Sequence, residues 1–134
     1  MTKKELAVVV AKTYNDMDLS IIEPYLSDDF VYEMPHESFS WVRRMRKHDG
    51  IVTEQPDSRY SKARYLHFQE MIFDIVKRTS AEVTFSKSLN QIAVKLFWGS
   101  QYEGTLKICK KGDQIVRIRQ CYLPEENGLT ETEE

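Results

Sequence analysis

The sequence predicts an α+β domain in which helices pack on one face of a strongly curved antiparallel sheet. Apolar residues at helical spacing occupy the beginning and one central segment of the chain, whereas strand patterns with short turns fill most of the rest. No repeat or low-complexity linker divides the 134 residues, which suffice for one domain with one core. Helices that are segregated from a run of consecutive strands are typical of α+β folds. A sheet that curves into a cone offers its concave side as a pocket.

The first helix is predicted to span residue 3 to about residue 16. Leu6, Val10 and Tyr14 recur on one face at helical spacing. Thr2, with Glu5 three positions later, forms the capping-box pattern that begins a helix. This helix should therefore pack one apolar face on the sheet.

Two further helices are expected. The second is short, from Leu19 to Leu26, and Pro24 predicts an irregularity because proline lacks a backbone N–H. The third is long, from about Tyr60 to Arg78. Its apolar stripe consists of Tyr65, Phe68, Ile72, Ile75 and Val76. Three helices are thus available to cover one face of the sheet.

The strand patterns begin at SDDFVYEMP, where Phe30, Tyr32 and Met34 share one face. A second strand is predicted over residues 39–46 and is followed by the loop KHDGIVTEQPDS. The later strands follow one another through short hairpin connections: Glu82–Leu89, Gln91–Trp98, Tyr102–Cys109 and Gln114–Leu123. We place the domain at residues 1–124 and expect residues 125–134, EENGLTETEE, to form a disordered acidic tail.

Composition and charge exclude several classes of protein. The formal net charge is −2, and no stretch approaches the roughly 20 apolar residues that a membrane span needs. The beginning of the chain lacks a signal-peptide cleavage pattern. Cys109 and Cys121 are too few for a disulfide framework, and no cysteine or histidine cluster has zinc spacing. We therefore expect a cytoplasmic protein with reduced thiols that binds no metal, membrane or nucleic acid.

The basic run WVRRMRKHDG, residues 41–50, is the one feature that suggests nucleic acid. Such a site needs cations interleaved with exposed aromatic residues across one face. In a strand, Trp41 and Arg43 share one face, whereas Arg44 and Arg46 point the other way. We interpret the run as a solvated strand end at the pocket mouth, where Arg43 reaches inward and can bind a carboxylate bidentately.

The segment VVVAKTYNDMDLSIIEPYLSDDFVYEMP resembles the opening of the nuclear transport factor 2-like superfamily, which includes SnoaL-like proteins and ketosteroid isomerases. The long helix ARYLHFQEMIFDIVKRTS and the closing hairpin GTLKICKKGDQIVRIRQCYLP fit the same plan, so the resemblance covers residues 3 to about 124. It implies a cystatin-like curved sheet, a small-molecule pocket, a homodimer through the outer sheet face, and no cofactor.

The resemblance does not extend to ketosteroid isomerase chemistry. That reaction needs a carboxylate base, together with an oxyanion hole made by a tyrosine and a protonated aspartate. The resemblance places these three roles on Met34, on Val10 and near Thr105. Met34 cannot accept a proton, and Tyr14 lies one helical turn after Val10. We therefore expect no isomerase activity.

The resemblance also bears on the last two strands. Four alternate residues of the final strand face inward by this resemblance: Val116, Ile118, Gln120 and Tyr122. The partner strand leaves two registers open, since apolarity favours Leu106 and Ile108 inward, whereas alignment favours Thr105 and Lys107. A slip of one residue exchanges the two faces.

The concave face is predicted to bind an unidentified small molecule. The candidate ligand-binding residues are Tyr14, Tyr32, Met34, Trp41, Arg43, His67, Phe68, Trp98, Gln120 and Tyr122. Tyrosine and tryptophan carry polar tips that need partners, and this many converging side chains exceed what a dry core requires. His67 is a possible acid–base group, although its place one position off the apolar stripe favours a solvated helix edge.

Two functions follow from this interpretation. One is ligand binding, extended to a cofactor-free lyase- or isomerase-type reaction on a small, partly apolar carbonyl compound. The alternative is a non-catalytic ligand-binding or protein-interaction domain. No catalytic residue is assigned, because the acid–base positions of the resembling enzymes are vacant here.

Overall fold

The structure, a computed structural model, describes residues 1–34 and 59–123. Helix α1 spans Lys3–Asp16 and helix α2 spans Lys62–Val76. The strands are β1 (Leu26–Glu33), β2 (Arg59–Ser61), β3 (Thr79–Ser86), β4 (Gln91–Trp98), β5 (Gln101–Lys111) and β6 (Gln114–Cys121). The strand predicted over residues 39–46, with Trp41 and Arg43, and the predicted tail at residues 125–134 lie outside the described residues.

The six strands form one curved, open sheet in the order β2-β1-β6-β5-β4-β3. Strands β3 to β6 make an antiparallel meander, and β1 pairs antiparallel with β2. Strand β1 is parallel to β6, so the sheet is mixed. Helix α1 packs on β3 and β4, whereas α2 packs on β1 and β2. The predicted α+β class, with helices on a curved sheet, is confirmed.

Helix α1 begins and ends as its sequence predicts. The Thr2 hydroxyl accepts from the Glu5 N–H at 3.1 Å, and the Glu5 carboxylate accepts from the Thr2 N–H at 2.7 Å. The helix ends at Met17, which adopts a left-handed conformation with φ of 51°. Its buried face includes Leu6, Val10 and Tyr14. The capping box and the apolar face are both confirmed.

The predicted second helix is wrong in extent. Only Glu23–Tyr25 forms a helical turn, of the 3₁₀ type, with Pro24 near its start. Before it, the Asp18 carboxylate accepts from the Ser20 N–H at 3.0 Å and from the Ser20 hydroxyl at 2.6 Å. Such local side-chain bonds offer the backbone an alternative to a helix. The described part of the chain therefore packs two α-helices, rather than three, on the sheet.

The start of α2 differs from its prediction by two residues. Arg59–Ser61 pairs with β1 as a short strand, and Ser61 then caps the helix by accepting from the Arg64 N–H at 3.3 Å. The helix ends at Lys77, whose φ is 71°. The periodic stripe fixes the helix face, but it does not reveal that the first residues of the pattern belong to the sheet edge.

The register of β5 and β6 follows apolarity. Leu106 pairs with Gln120 and Ile108 pairs with Ile118, and all four side chains are buried. The resemblance predicts Val116 inward, but this residue lies at a bulge, so that Ile115 occupies the buried position instead. The bulge shifts the alternation by one residue, which is a change that the sequence pattern does not show.

Within residues 1–34 and 59–123, neither helix combines the length and the apolarity needed to cross a membrane.

Candidate functional site

Three tyrosines from three different elements meet beneath the sheet. Tyr14 comes from α1, Tyr32 from β1 and Tyr65 from α2, and each is at most 1% exposed. The hydroxyls of Tyr14 and Tyr65 are 2.8 Å apart, and the ring centroids of Tyr32 and Tyr65 are 4.8 Å apart. The helices and the sheet thus bring three phenols into one buried cluster.

The hydroxyls of this cluster form a directed chain. The Tyr14 hydroxyl donates to Gln69 Oε1 at 3.2 Å. Because a hydroxyl carries a single proton, Tyr14 must then accept from the Tyr65 hydroxyl. The chain therefore runs from Tyr65 through Tyr14 to Gln69, which is itself buried on α2. Both phenols satisfy their donors without water, as buried polar groups must.

A second polar chain joins β1 to the opposite half of the sheet. The Tyr32 hydroxyl donates to Gln120 Oε1, and Gln120 Nε2 donates to the Glu103 carbonyl oxygen at 3.1 Å. These bonds fix the orientation of the Gln120 amide, which is 1% exposed. Gln120 keeps a further amide proton and a further lone pair, so it can hydrogen-bond an additional group.

Gly104 makes room for this second chain. It pairs with Leu96, and Glu103 is the extra residue of a bulge between β4 and β5. A Cβ at Gly104 would lie 2.9 Å from both Cγ and Nε2 of Gln120. Glycine is therefore required where the backbone approaches the Gln120 side chain.

Aromatic rings enclose the two polar chains. Phe30 makes an edge contact with Tyr65 at 5.2 Å between centroids, and Tyr60 stacks on Phe68 at 5.1 Å. Tyr60 also meets the edge of Tyr32 at 6.0 Å. Such edge and offset contacts are favourable geometries for aromatic pairs. The polar cluster thus lies in an apolar, largely aromatic surrounding.

Burial determines the protonation of the cluster. Desolvation raises the pKa of Tyr14 and Tyr32 well above the ordinary value, and neighbouring tyrosines raise it further. Burial also raises the pKa of Tyr65, although the hydrogen bond with Tyr14 opposes this shift. At neutral pH all three phenols are therefore neutral. Their single protons are committed within the two hydrogen-bond chains, and neutral phenols cannot serve as bases.

Five of the predicted site residues are buried in or beside this cluster. Tyr14, Tyr32, Phe68 and Gln120 belong to it through the contacts above, and Met34 is fully buried in the same core at the end of β1. Trp41 and Arg43 lie outside the described residues. The structure therefore brings these five predicted side chains together beneath the sheet.

Three predicted site residues lie apart from the cluster. His67 is exposed on α2, because the helical turn that buries Tyr65 and Phe68 points it toward solvent. Tyr122 lies beyond the end of β6, is 39% exposed and packs on Tyr102 at 5.4 Å. Trp98 is half-buried at the end of β4, where it pairs with Thr79. The structure thus places these three outside the tyrosine cluster, although Trp98 still packs against the hydrophobic core.

Sequence reasoning missed three residues of the site. The apolar stripe of α2 predicts only packing for Tyr65 and does not include Gln69, although both side chains are buried on this helix. Glu103 is a carboxylate that is only 2% exposed. The signal for Glu103 was its neighbour Gly104, since a glycine within a strand pattern often marks a bulge.

A shallow depression lies on the other side of α2. It has a volume of about 580 Å³, opens widely to solvent and is lined by Met17, Glu70, Met71, Phe73 and Asp74. None of these side chains takes part in the hydrogen-bond chains of the cluster. Its mouth is too open to bury most of a ligand's surface, as small-molecule sites do.

The positions of the isomerase roles are occupied by packing groups. Met34, Val10 and Thr105 are fully buried, and the Thr105 hydroxyl is 2.6 Å from the Tyr102 hydroxyl on the outer side of the sheet. We expect purified protein to turn over a 3-oxo-Δ5 steroid no faster than solution does. Saturable isomerisation that copurifies with the protein would contradict this expectation.

Comparison with known proteins identifies the fold. No protein-family model and no curated protein matches the chain. A SnoaL-like protein of unknown function from Burkholderia thailandensis E264 has a TM-score of 0.63 at 15% identity, covering 90% of this chain and 92% of that one. IdmH from Streptomyces antibioticus, a proposed polyketide cyclase, has a TM-score of 0.56 at 12% identity, covering 88% and 90%.

An uncharacterised cystatin-fold protein from Novosphingobium aromaticivorans has a TM-score of 0.59 at 13% identity, covering 89% of this chain and 97% of that one. Identities this low establish architecture and leave activity open. The chain has the nuclear transport factor 2-like fold, the cystatin-like architecture that SnoaL-like proteins share.

Proposed function

We propose that the chain binds a small, partly apolar molecule on the concave face of the sheet. The observation that carries this proposal is the pair of hydrogen-bond chains, Tyr65–Tyr14–Gln69 and Tyr32–Gln120–Glu103, inside an aromatic core. Burial of hydroxyls and amides is costly unless every group is paired. Leucine or phenylalanine would fill the same space without that cost, so these polar groups suggest a role beyond packing.

The cluster favours an uncharged ligand. Its donor groups are neutral: the phenol protons are committed within the chains, and Gln120 keeps one amide proton. Among residues 1–34 and 59–123, the cluster holds no cationic side chain that would balance a carboxylate or phosphate. A carbonyl or hydroxyl group matches these donors, and aromatic walls match an apolar ring or chain. We therefore assign the ligand to the class of apolar molecules with one or two neutral oxygen functions.

The binding prediction compares two probes that differ in one group. 2-Acetylnaphthalene carries a carbonyl, whereas 2-ethylnaphthalene has a similar shape without one. We expect the ketone to bind about 5–20 times more tightly, since one net hydrogen bond is worth about 1–1.5 kcal/mol. Quenching of the naphthalene fluorescence gives both dissociation constants.

Two variants test whether the polar cluster causes the preference for the ketone probe. Gln120→Leu should bring the affinities of the two probes within about twofold, because it removes the amide while keeping an apolar side chain of similar size. Phe85→Leu is the matched control, since Phe85 is 55% exposed and should leave the ratio unchanged. Equal affinities for both probes in the parent protein would overturn the proposed ligand class.

Cofactor-free catalysis on the same kind of molecule is a second candidate function. The observation that favours it is the buried carboxylate of Glu103. The backbone carbonyl oxygen of the same residue accepts a hydrogen bond from Gln120. A carboxylate is a common general base, and the remaining amide proton of Gln120 would polarise a bound carbonyl. Hydrogen–deuterium exchange at the carbon beside the carbonyl of 2-acetylnaphthalene tests this function. Exchange should be catalysed by the parent protein and lost in Glu103→Gln.

A further inference from the structure

The face of the sheet opposite the helices carries an excess of positive charge. Alternation along the paired strands places five cations on it: Arg59, Lys95, Lys107, Arg117 and Arg119. The same registers place Glu33 and Glu82 on this face. We call the part on β5 and β6, formed by Lys107, Arg117 and Arg119, the basic stripe.

Carboxylates of this face neutralise only part of the charge. Glu33 stands between two arginines, with Arg119 Nη1 at 3.4 Å and Arg59 Nε at 3.5 Å. Glu82 lies opposite Lys95 on the neighbouring strand. Arg117 Nη2 lies 3.8 Å from Cys109 Sγ, and the charge of Glu33 also acts on Arg117. Among the described residues, the three cations of the basic stripe thus share a single carboxylate, Glu33, and the stripe keeps a net positive charge.

The chain leaves β6 on this same face. The Leu123 N–H donates to the Tyr102 hydroxyl at 3.2 Å. Tyr102 lies on the outer face, because it pairs with Phe97 and its hydroxyl meets the Thr105 hydroxyl. The Tyr122 ring packs on Tyr102 as well. Leu123, the last residue that the structure describes, therefore lies on the outer side of the sheet.

Residues 124–134, PEENGLTETEE, have the opposite charge. They contain five glutamates and no cation, so the rest of the chain is net positive although the whole carries −2. From Cys121 to Arg117 is about 13 Å along the strand. Eleven residues can extend to roughly 36 Å, which is sufficient to cross the whole stripe. The length and the negative charge of residues 124–134 are therefore sufficient for a contact with the basic stripe.

We propose that residues 125–134 bind the basic stripe of their own molecule and cover the centre of the outer sheet face. The resemblance assigns this face to a homodimer, which remains a prediction. An isologous contact would place each basic stripe near its symmetry mate, and like charges would repel. The acidic segment is the better electrostatic match for this surface.

The test uses the full chain and a variant of equal length. In the variant, all five glutamates of residues 124–134 are replaced by glutamine, which removes charge without shortening the chain. Backbone amide NMR spectra of the two proteins are compared at low salt. We expect chemical-shift differences concentrated at Lys107, Arg117 and Arg119. They should disappear in about 1 M NaCl, where the Debye length is about 3 Å.

Charge reversal on the surface supplies the second arm. In Arg117→Glu, the glutamine replacements should perturb β5 and β6 much less than they do in the parent chain. Phe85→Leu, on the helix-facing side at the sheet edge, should leave the perturbation unchanged.

Three outcomes would overturn the proposal. Spectra that coincide on β5 and β6 would show that the segment does not bind there. Differences that vanish on dilution would assign the acidic segment to a second copy. Differences that survive high salt would exclude an electrostatic contact.

Discussion

Gly104→Ala is expected to destabilise the fold strongly and to disconnect Tyr32 from Glu103. The new Cβ would lie 2.9 Å from Gln120 Cγ and Nε2 and 3.3 Å from the Cys121 carbonyl oxygen. The backbone φ of +156° is also unfavourable for alanine. Overpacking costs about 1–3 kcal/mol and a strained backbone costs a similar amount, so we expect a loss of roughly 2–6 kcal/mol. Urea unfolding measures it.

Two controls separate the steric contact from the backbone strain. Gly112→Ala places a Cβ in open space at φ of +63°, so it reports strain alone and should cost about 1–2 kcal/mol. In a Gln120→Ala background, Gly104→Ala should cost clearly less than in the parent chain, because the colliding atoms are gone. If the two effects simply add, then Gly104 does not serve to accommodate Gln120.

Stability should fall steeply above about pH 10, where an unfolded tyrosine loses its proton. Burial raises the pKa of Tyr14, Tyr32 and Tyr65, so above this pH the folded state holds more protons than the unfolded state. The stabilisation is complete below pH 10 and is lost as the pH rises toward the folded values. In this range each phenol lowers the unfolding free energy by about 1.4 kcal/mol per pH unit, and the three together lower it by roughly 4 kcal/mol per pH unit.

Phenylalanine substitutions test which tyrosines cause the fall of the unfolding free energy at alkaline pH. Tyr65→Phe should reduce the dependence of the unfolding free energy on pH by about a third, even if it also changes the stability at neutral pH. Tyr14→Phe and Tyr32→Phe should act similarly. Tyrosinate absorbance, followed in parallel, should rise with unfolding for these residues. An alkaline slope that is the same in all three variants would show that the phenols are not the cause.

The architecture was predictable because the spacing of apolar residues and the position of turn residues are local properties of the chain. Leu6, Val10 and Tyr14 mark the face of α1, and Phe30, Tyr32 and Met34 mark the buried face of β1. The parallel pairing of β1 with β6 was not predictable in this way. It joins Tyr32 to Ile118, far apart along the chain, and it depends on how the helices place β1 beside the meander.

The candidate site was predictable only in part, for reasons of geometry. Spacing predicted four of the site residues, because they share the buried face of their helix or strand with core residues: Tyr14, Tyr32, Phe68 and Gln120. The bulge at Val116 and the end of β6 before Tyr122 were not visible in the alternation, so these two residues were placed inward. Hydrogen bonds such as that of Tyr14 with Tyr65 join side chains across elements, and no spacing rule shows them.

The most direct test of ligand binding is an NMR titration of the Gln120 side-chain amide with 2-acetylnaphthalene. Gln120→Leu identifies the resonance by its loss. Binding at the cluster predicts a saturable shift of this amide and of the Tyr14, Tyr32 and Tyr65 rings, with a midpoint that equals the fluorescence dissociation constant. If these resonances stay unchanged while the probe binds, or if the probe does not bind, the polar cluster is packing and the concave face is not the ligand site.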